Sequence, residues 1–200
     1  MSEVPVQGFG DDFLATAGNA AAAASKQLFR IGNHWCFTGF DEASELVNPL
    51  TAFWLPNTAQ WCLGLANLNS YLVPVVDFLQ AIDAPDGPDM PARRVEAPRF
   101  HLIFGGGTQR IAVAIDSLPF TIAVPEEQAR LALELPGVWG HVIDFSIPWS
   151  HASNSLHASA NVLAGAAVPE FVHHLSSARM AQWFSGALQH NQNSLQSVPQ

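Results

Sequence analysis

Histidine and acidic side chains in the C-terminal third are the residues of this chain with the clearest potential for chemistry. Six of the eight histidines follow residue 140, together with two carboxylates: His141, His151, His157, His173, His174, His190, Asp144 and Glu170. Because both residue types ligate metal ions, a metal-dependent enzyme is one hypothesis for this region. The spacing does not favour it. No HExxH pattern occurs, and adjacent side chains such as His173 and His174 point apart in a helix or a strand.

Nucleophilic and phosphate-binding patterns give no stronger signal. Cys36 and Cys62 each lie in an apolar run, which predicts two buried free thiols rather than a disulfide. No GxSxG pattern is present. The triplet Gly105–Gly107 lacks the GK[ST] ending of a phosphate loop, so we interpret it as a turn. We therefore predict no catalytic residue, metal site or cofactor, and a protein that is not an enzyme.

Composition excludes several classes of partner. The 200 residues are 48% hydrophobic and only 12% charged, with a net charge of −9. Residues 31–92 hold seven acids and no lysine or arginine, which disfavours direct binding to nucleic acid or an anionic membrane surface. No run of 18 apolar residues and no basic N-terminal signal region occur, so we expect a cytoplasmic protein without membrane insertion.

The N-terminal part is predicted to form short strands after a flexible tail over residues 1–25. Residues 28–40 carry Gly32-Asn33 between two apolar runs, which predicts a hairpin. Residues 41–47 (DEASELV) are interpreted as a solvated connector. Pro49 and Pro56 then bracket an extended segment that can lie only at a sheet edge.

The middle of the chain contains the clearest alternation. Residues 71–76 (YLVPVV) predict a strand, and residues 77–82 a short helical turn. Residues 83–94 are rich in proline and aspartate and predict a surface loop, the best internal boundary. Residues 100–116 predict a second hairpin around the glycine triplet.

The C-terminal part is predicted to be partly helical. Residues 120–124 predict a strand, and residues 125–135 a short helix that begins at a proline. Residues 168–188 have apolar side chains at helical spacing, and residues 189–200 are expected to be a disordered polar tail. Long helices between the strands are missing, so the fold class is mostly β.

The segment from Pro49 to Ile82 resembles the CheW-like domain of bacterial chemosensory adaptors. That family has a Gly-x-x-Asn-Leu-Arg-Gly motif followed by a strand with Pro-Val-Val-Asp and a short helix. The matching positions here are Gly64, Asn67, Leu68, Pro74, Val75, Val76 and Asp77. Both hairpins are also similar to the family's, with Asp116 at the end of the later one, so the resemblance covers about residues 26–125. The tryptophan before Gly64 is similar to the branch that works with type IV pili.

The resemblance implies an all-β fold of two small β-barrel subdomains packed on a shared core, with short helices and a C-terminal helical segment. We expect the domain to span residues 26–188, with subdomains at about 26–92 and 93–188. The implied function is a non-catalytic adaptor between a methyl-accepting chemoreceptor and a CheA-type histidine kinase.

The resemblance also implies a partner-binding segment around the strand of Pro74. Its expected members are Asn67, Leu68, Asn69, Ser70, Tyr71, Val73, Pro74 and Asp77. Where the family has Arg-Gly, this chain has Asn69-Ser70, and that arginine is the family's receptor contact. A member that keeps the fold but has lost receptor docking is therefore an alternative.

Physical roles for single residues accompany the resemblance. Gly64 would allow a close backbone approach, Pro74 would mark an edge or bulge, and Asp77 could cap the following turn. The apolar members of the segment could equally be plain core. For Asn69, Ser70 and Tyr71, an interface and an inert surface both remain open.

Overall fold

The structure, a computed structural model, describes residues 23–56, 58–82, 100–125, 130–150 and 169–196. Strands dominate these residues, and of the helices that lie wholly within them only one is long. In chain order the elements are β1 (Ala23–Ile31), β2 (His34–Gly39), β3 (Ala43–Val47), β4 (Cys62–Leu68), β5 (Tyr71–Val76), α1 (Phe78–Ile82), β6 (Phe100–Phe104), β7 (Ile111–Ile115), β8 (Phe120–Pro125), α2 (Val138–Val142), β9 (Ile143–Pro148), β10 (Phe171–Leu175) and α3 (Ser177–Gln196).

The strands form two five-stranded sheets. Sheet 1 has the order β8-β1-β2-β10-β9, and sheet 2 has the order β3-β6-β7-β5-β4. Both predicted hairpins are present, with Ile31 opposite His34 in the first and Phe104 opposite Ile111 in the second. Parallel pairing of β10 with β2 and of β5 with β7 completes the sheets. In the described part neither sheet closes on itself, so both are open forms of the small barrels expected.

A shared hydrophobic core holds the two sheets together. Phe29 of sheet 1 and Phe104 of sheet 2 meet edge to face, with ring centroids 6.2 Å apart. Trp139 of α2 and Met180 of α3, each 1% exposed, fill the same core. Each sheet also has a smaller core of its own. The predicted all-β fold with a shared core is confirmed.

The sheets do not divide at the proline-rich loop. Sheet 1 takes β1 and β2 from before that loop and β8 to β10 from after it, while sheet 2 combines β3 to β5 with β6 and β7. The predicted subdomain boundary at residue 92 therefore does not match the sheets. The loop itself lies outside the described residues.

Two predictions about local structure are wrong. The segment expected to be a solvated connector contains β3, an edge strand whose Ala43 is buried and pairs with Phe104. Of the helix expected over 125–135, the described residues 130–135 are not helical. Leu131 instead exchanges two backbone hydrogen bonds with Ser146, of 2.9 and 2.8 Å, and this sheet contact replaces helical bonding.

The C-terminal region differs from expectation in its boundaries. Residues 171–175, expected to be helical, form β10, because their backbone groups bond to β2 and β9. The helix begins at Ser177 and continues to Gln196, so the expected disordered tail is wrong over residues 189–196. At the other end, β1 begins at Ala23, inside the expected N-terminal tail.

Among the described residues, no helix is long and apolar enough to cross a membrane. Cys36 and Cys62 are both free and buried, as predicted. Burial raises the pKa of each thiol, which keeps the thiols protonated and unreactive.

Candidate docking surface

The β4–β5 hairpin ends in a two-residue turn at Asn69 and Ser70. Both residues have positive φ angles, 52° and 68°, as a type I′ turn requires. The Ser70 backbone N–H donates to the side-chain oxygen of Asn67 at 3.1 Å, which fixes the turn from the end of β4. Asn67, Asn69 and Ser70 are all exposed. The turn is therefore a rigid polar tip in contact with solvent.

One face of β5 changes from exposed to buried along the strand. Side chains alternate between the faces of a strand, so Leu72, Pro74 and Val76 share a face. Leu72 is 71% exposed, Pro74 is half-buried, and Val76 is fully buried in the shared core. The apolar face that forms the core therefore continues into solvent near the turn.

The segment before β4 adds exposed aromatic side chains to this edge. Phe53 exchanges two backbone hydrogen bonds with Leu65, of 2.7 and 3.0 Å. Phe53 is 69% exposed and its neighbour Trp54 is 66% exposed. Gly64 has a φ of 128°, and a Cβ at this position would collide with the Phe53 carbonyl oxygen. The predicted role of Gly64, a close backbone approach, is confirmed.

Phe53, Leu65, Leu72 and Pro74 lie on one face, which we call the β4–β5 hydrophobic surface. Phe53 lies opposite Leu65, and Leu65 lies opposite Pro74, so the pairing puts their side chains on the same side. Burying a large apolar side chain stabilises a complex by about 1.5–3 kcal/mol. Exposed apolar surface of this kind is typical of a protein-binding site.

The opposite face of the hairpin packs inward except at its end. Leu68 and Val73 belong to the core of sheet 2. Tyr71, directly opposite Leu68, is 46% exposed, and the Arg110 guanidinium carbon lies 5.2 Å from the centre of its ring. Arg110 directly precedes β7, whose parallel pairing with β5 brings the starts of the two strands to the same end of the sheet.

Asp77 terminates β5 and begins α1. Its side chain is buried and accepts the Leu79 backbone N–H at 3.1 Å and the Gln80 side-chain amide at 3.3 Å. The Asp77 backbone N–H donates to the Trp61 carbonyl at 2.8 Å. The prediction that Asp77 caps this turn is confirmed. Pro74 lies in an interior strand rather than at an edge, but its missing N–H precedes the pairing with β7, which begins at Val75.

The expected partner-binding residues fall into two groups. The structure places Asn67, Asn69, Ser70 and Tyr71 in contact with solvent and leaves Pro74 half-buried, but it buries Leu68, Val73 and Asp77. The last three hold the hairpin in place from beneath.

Sequence reasoning missed four residues at this site: Phe53, Leu65, Leu72 and Arg110. The alternation of Leu72 with buried Val73 and Val75 could have predicted its exposure. No local pattern places Arg110 beside Tyr71, because that contact depends on the pairing of two distant strands.

The adjacent histidines of β10 take different partners, as predicted. His173 Nδ1 lies 2.8 Å from Ser146 Oγ. Burial, with a smaller contribution from His34, lowers the pKa of His173 to about 4. His174 turns the other way, and its Nε2 lies 2.8 Å from Glu42 Oε2.

Glu42 connects three elements through its carboxylate. Burial alone would raise the pKa of Glu42, but the hydrogen bond and charge of His174, with the backbone N–H groups of Gly39 and Ser177, lower it to about 2. Glu42 therefore links the end of β2 to β10 and to the first turn of α3. This arrangement is structural, since it fixes α3 on sheet 1.

The hypothesis of a metal site in the histidine-rich C-terminal third is not supported by the part of the chain that the structure describes. No group of three His, Cys, Asp or Glu side chains there is placed to hold a metal ion. A cavity of about 500 Å³ opens beside His174, and its lining carries charges of both signs, from Lys26, Arg130 and Asp144. His151 and His157 lie outside the described residues.

Two open sheets on a shared core, with an exposed hydrophobic surface beside a rigid hairpin, define a protein-binding β-domain. The family model of the CheW-like domain matches residues 27–144, more than half of the chain, and the chain belongs to that family. A crystal structure of the scaffolding protein TtCheW from Thermoanaerobacter tengcongensis has a similar fold, with a TM-score of 0.55 at 11% identity. The match covers 78% of this chain and 90% of that one.

No significant match to this chain occurs among curated proteins. The predicted family and fold are confirmed by the family match and the similar structure. CheW-like domains are non-catalytic chemotaxis scaffolds, which agrees with the prediction that the chain is not an enzyme.

Proposed function

We propose that the chain is an adaptor that couples a chemoreceptor to a CheA-type histidine kinase in chemotaxis-like signal transduction. It acts in the cytoplasm, through a domain that extends over residues 26–188. One partner docks on the β4–β5 hydrophobic surface, with the exposed tip at Asn69 and Ser70 on its rim. Such docking buries an apolar centre within a polar rim, as in other non-obligate interfaces.

The observation that carries the proposal is the exposure of Leu72 and Phe53. Both side chains are about 70% exposed, at 71% and 69%, although the face on which they lie is continuous with the core at Val76. An apolar side chain gains nothing from exposure in the free domain, whereas burial against a partner removes it from water. The confirmed membership of a scaffold family makes a signalling protein the natural partner.

The first experiment measures binding by isothermal titration calorimetry. The full chain is titrated with the purified regulatory domain of a CheA-type kinase and, separately, with the cytoplasmic tip of a chemoreceptor from the same organism. We expect binding of at least one of them with a micromolar Kd. Absence of binding by both at about 100 μM would overturn the proposal.

The second experiment changes the hydrophobic surface. Leu72→Ser should weaken binding of the docked partner about tenfold, because an apolar contact of more than 1 kcal/mol is lost. Leu118→Ser is the matched control, since Leu118 is 56% exposed in the β7–β8 connection, outside this surface. Equal binding by both variants would show that the partner docks elsewhere.

The alternative, a family member without receptor docking, is favoured by the exposed Asn69 at the position of the family's arginine. An asparagine cannot supply a charged, bidentate donor. Under this alternative the wild-type chain binds the kinase but not the receptor, and Asn69→Arg creates receptor binding. Receptor binding by the wild-type chain would exclude the alternative.

We further propose that the pathway is the type IV pilus branch, as the tryptophan before Gly64 suggests. Trp61 packs on Trp183 and Phe184, with ring centroids 4.5 and 5.8 Å away, so its role in the fold is structural. The test compares kinases: the regulatory domain of a pilus-associated kinase should bind more tightly than that of a flagellar one. The reverse order would reject this branch.

A further inference from the structure

Arg110 is a cation held in place at the end of sheet 2. Its guanidinium lies over the half-exposed ring of Tyr71, with 5.2 Å between the guanidinium carbon and the ring centre. Its Nε is inaccessible to water and has no hydrogen-bond partner among the described residues. Stacking on an aromatic face restrains a guanidinium while leaving its edge available for hydrogen bonds.

Arg110 makes no ion pair within the part of the chain that the structure describes. Three acids that lie just before or after strands of sheet 2 have other contacts. Glu42 binds His174, Asp77 caps α1, and Asp116 accepts the Gly32 backbone N–H at 2.6 Å. The hairpin itself adds no cation, because residues 31–92 contain neither lysine nor arginine. Among the described residues, Arg110 is therefore a positive charge without an ion-pair partner beside the hairpin.

We propose that Arg110 binds a carboxylate side chain of the protein partner and so selects a partner that contacts the β4–β5 hydrophobic surface on one face of the hairpin and reaches round the hairpin end to the opposite face with an acidic residue. The inference rests on the proposed function and adds the chemistry of the partner to it. A guanidinium binds a carboxylate through two parallel hydrogen bonds, which fixes orientation as well as charge. A phosphate backbone is a poor alternative, since the chain carries a net charge of −9.

Tyr71 is the positioning residue for this charge. Tyr71→Phe keeps the aromatic face and should bind the partner as the wild type does. Tyr71→Ala removes the face, frees the guanidinium and should weaken binding several-fold. A loss in both variants would instead assign the contact to the tyrosine hydroxyl and contradict the positioning role.

The deciding experiment compares two arginines that both stack on aromatic rings. Arg110→Gln is titrated by calorimetry against the kinase regulatory domain and the receptor tip, with Arg130→Gln as the matched control. Arg130 lies over Phe145 of sheet 1, 4.6 Å from the ring centre, away from the hairpin. We expect Arg110→Gln to weaken binding about tenfold and Arg130→Gln to change it less than twofold. The thermal midpoint of each variant, from circular dichroism, verifies that it is folded.

The salt dependence separates a charge contact from a change in shape. Binding of the wild-type chain should weaken between 50 and 300 mM NaCl, and Arg110→Gln should show a smaller salt dependence. If wild type and Arg110→Gln bind a partner equally, the inference is wrong and the proposed function stands. If the wild-type chain binds neither partner, both are wrong.

Discussion

At the scale of single residues, the turn at Asn69 and Ser70 stores backbone strain beside the docking surface. Asparagine tolerates a positive φ, but serine at 68° adopts a conformation that glycine occupies without steric cost. Ser70→Gly should therefore raise the free energy of unfolding by about 0.5–1 kcal/mol. The hydrogen bond from the backbone N–H of residue 70 to Asn67 is kept. Urea unfolding followed by tryptophan fluorescence measures the effect.

The control for this prediction is the same substitution on a regular strand. Ser25 is exposed in β1 and lies outside the positive-φ residues. Ser25→Gly should lower the free energy of unfolding by about 0.5–1 kcal/mol, because glycine weakens a strand. A decrease for both variants would contradict the strain at Ser70.

Single residues also show what the sequence could predict about the site. The roles of Gly64 and Asp77 follow from local chemistry, a missing Cβ and a capping carboxylate, and both were predicted. Phe53 and Arg110 were not, because their exposure and contacts depend on pairing between segments that are separate in sequence. Leu72 was also missed, although the alternation along β5 could have predicted its exposure. Sequence patterns define a residue's own strand, and the partner strand decides what the residue faces.

At the scale of elements, α3 is attached to the sheets by its first half. Trp183 contacts Trp61 and Phe78, with ring centroids 4.5 and 5.6 Å away, and Met180 is buried in the shared core. Trp183→Ala should lower the free energy of unfolding by about 2 kcal/mol and increase hydrogen exchange in α3. Leu188→Ala is the control on the same helix, since Leu188 is 38% exposed, and should change neither. Unchanged exchange in Trp183→Ala would show that α3 is held elsewhere.

The elements that sequence reasoning misjudged are those whose hydrogen bonds come from tertiary pairing. Residues 43–47 are polar enough for a loop, yet β6 provides their backbone partners. Residues 171–175 have helical spacing, yet they lie between β2 and β9. The two hairpins were predicted correctly because each pairs with its immediate neighbour in sequence, where turn chemistry is sufficient.

At the scale of the whole molecule, the low content of charged residues reflects how many positions the hydrophobic cores and the docking surface require to be apolar. Three separate cores and the β4–β5 hydrophobic surface use much of the 48% hydrophobic residues. Each sheet contains strands from both halves of the chain, so neither half can form its sheet alone. We therefore expect the two sheets to unfold as one cooperative unit.

Buried histidines couple the stability of this unit to pH. Burial lowers the pKa of His101 to about 4, and burial with the nearby His34 does the same for His173. His101 Nδ1 accepts the Leu50 backbone N–H at 3.2 Å, so the neutral ring carries its hydrogen on Nε2, which is buried without a hydrogen-bond partner among the described residues. A second proton would have to bind at Nδ1, where it would meet the Leu50 N–H and break that hydrogen bond. Both imidazoles must stay neutral in the folded chain.

The unfolded chain binds these protons more readily than the folded chain, since the unperturbed pKa of histidine is 6.5. The stabilisation is therefore complete above about pH 6.5 and is lost as the pH falls towards 4. Between pH 7 and pH 5 each histidine should lower the free energy of unfolding by about 1–2 kcal/mol. The lowered pKa of Glu42 also makes the fold less stable as the pH falls, but only between about pH 4.5 and pH 2. Glu42 therefore does not contribute to the change between pH 7 and pH 5. Urea unfolding at pH 7 and pH 5 measures the difference in the free energy of unfolding between the two pH values. His173→Asn should reduce this difference by about half. His141→Gln is the control at an exposed position and should leave the difference unchanged. A free energy of unfolding that is equal at both pH values would contradict the burial of neutral imidazoles.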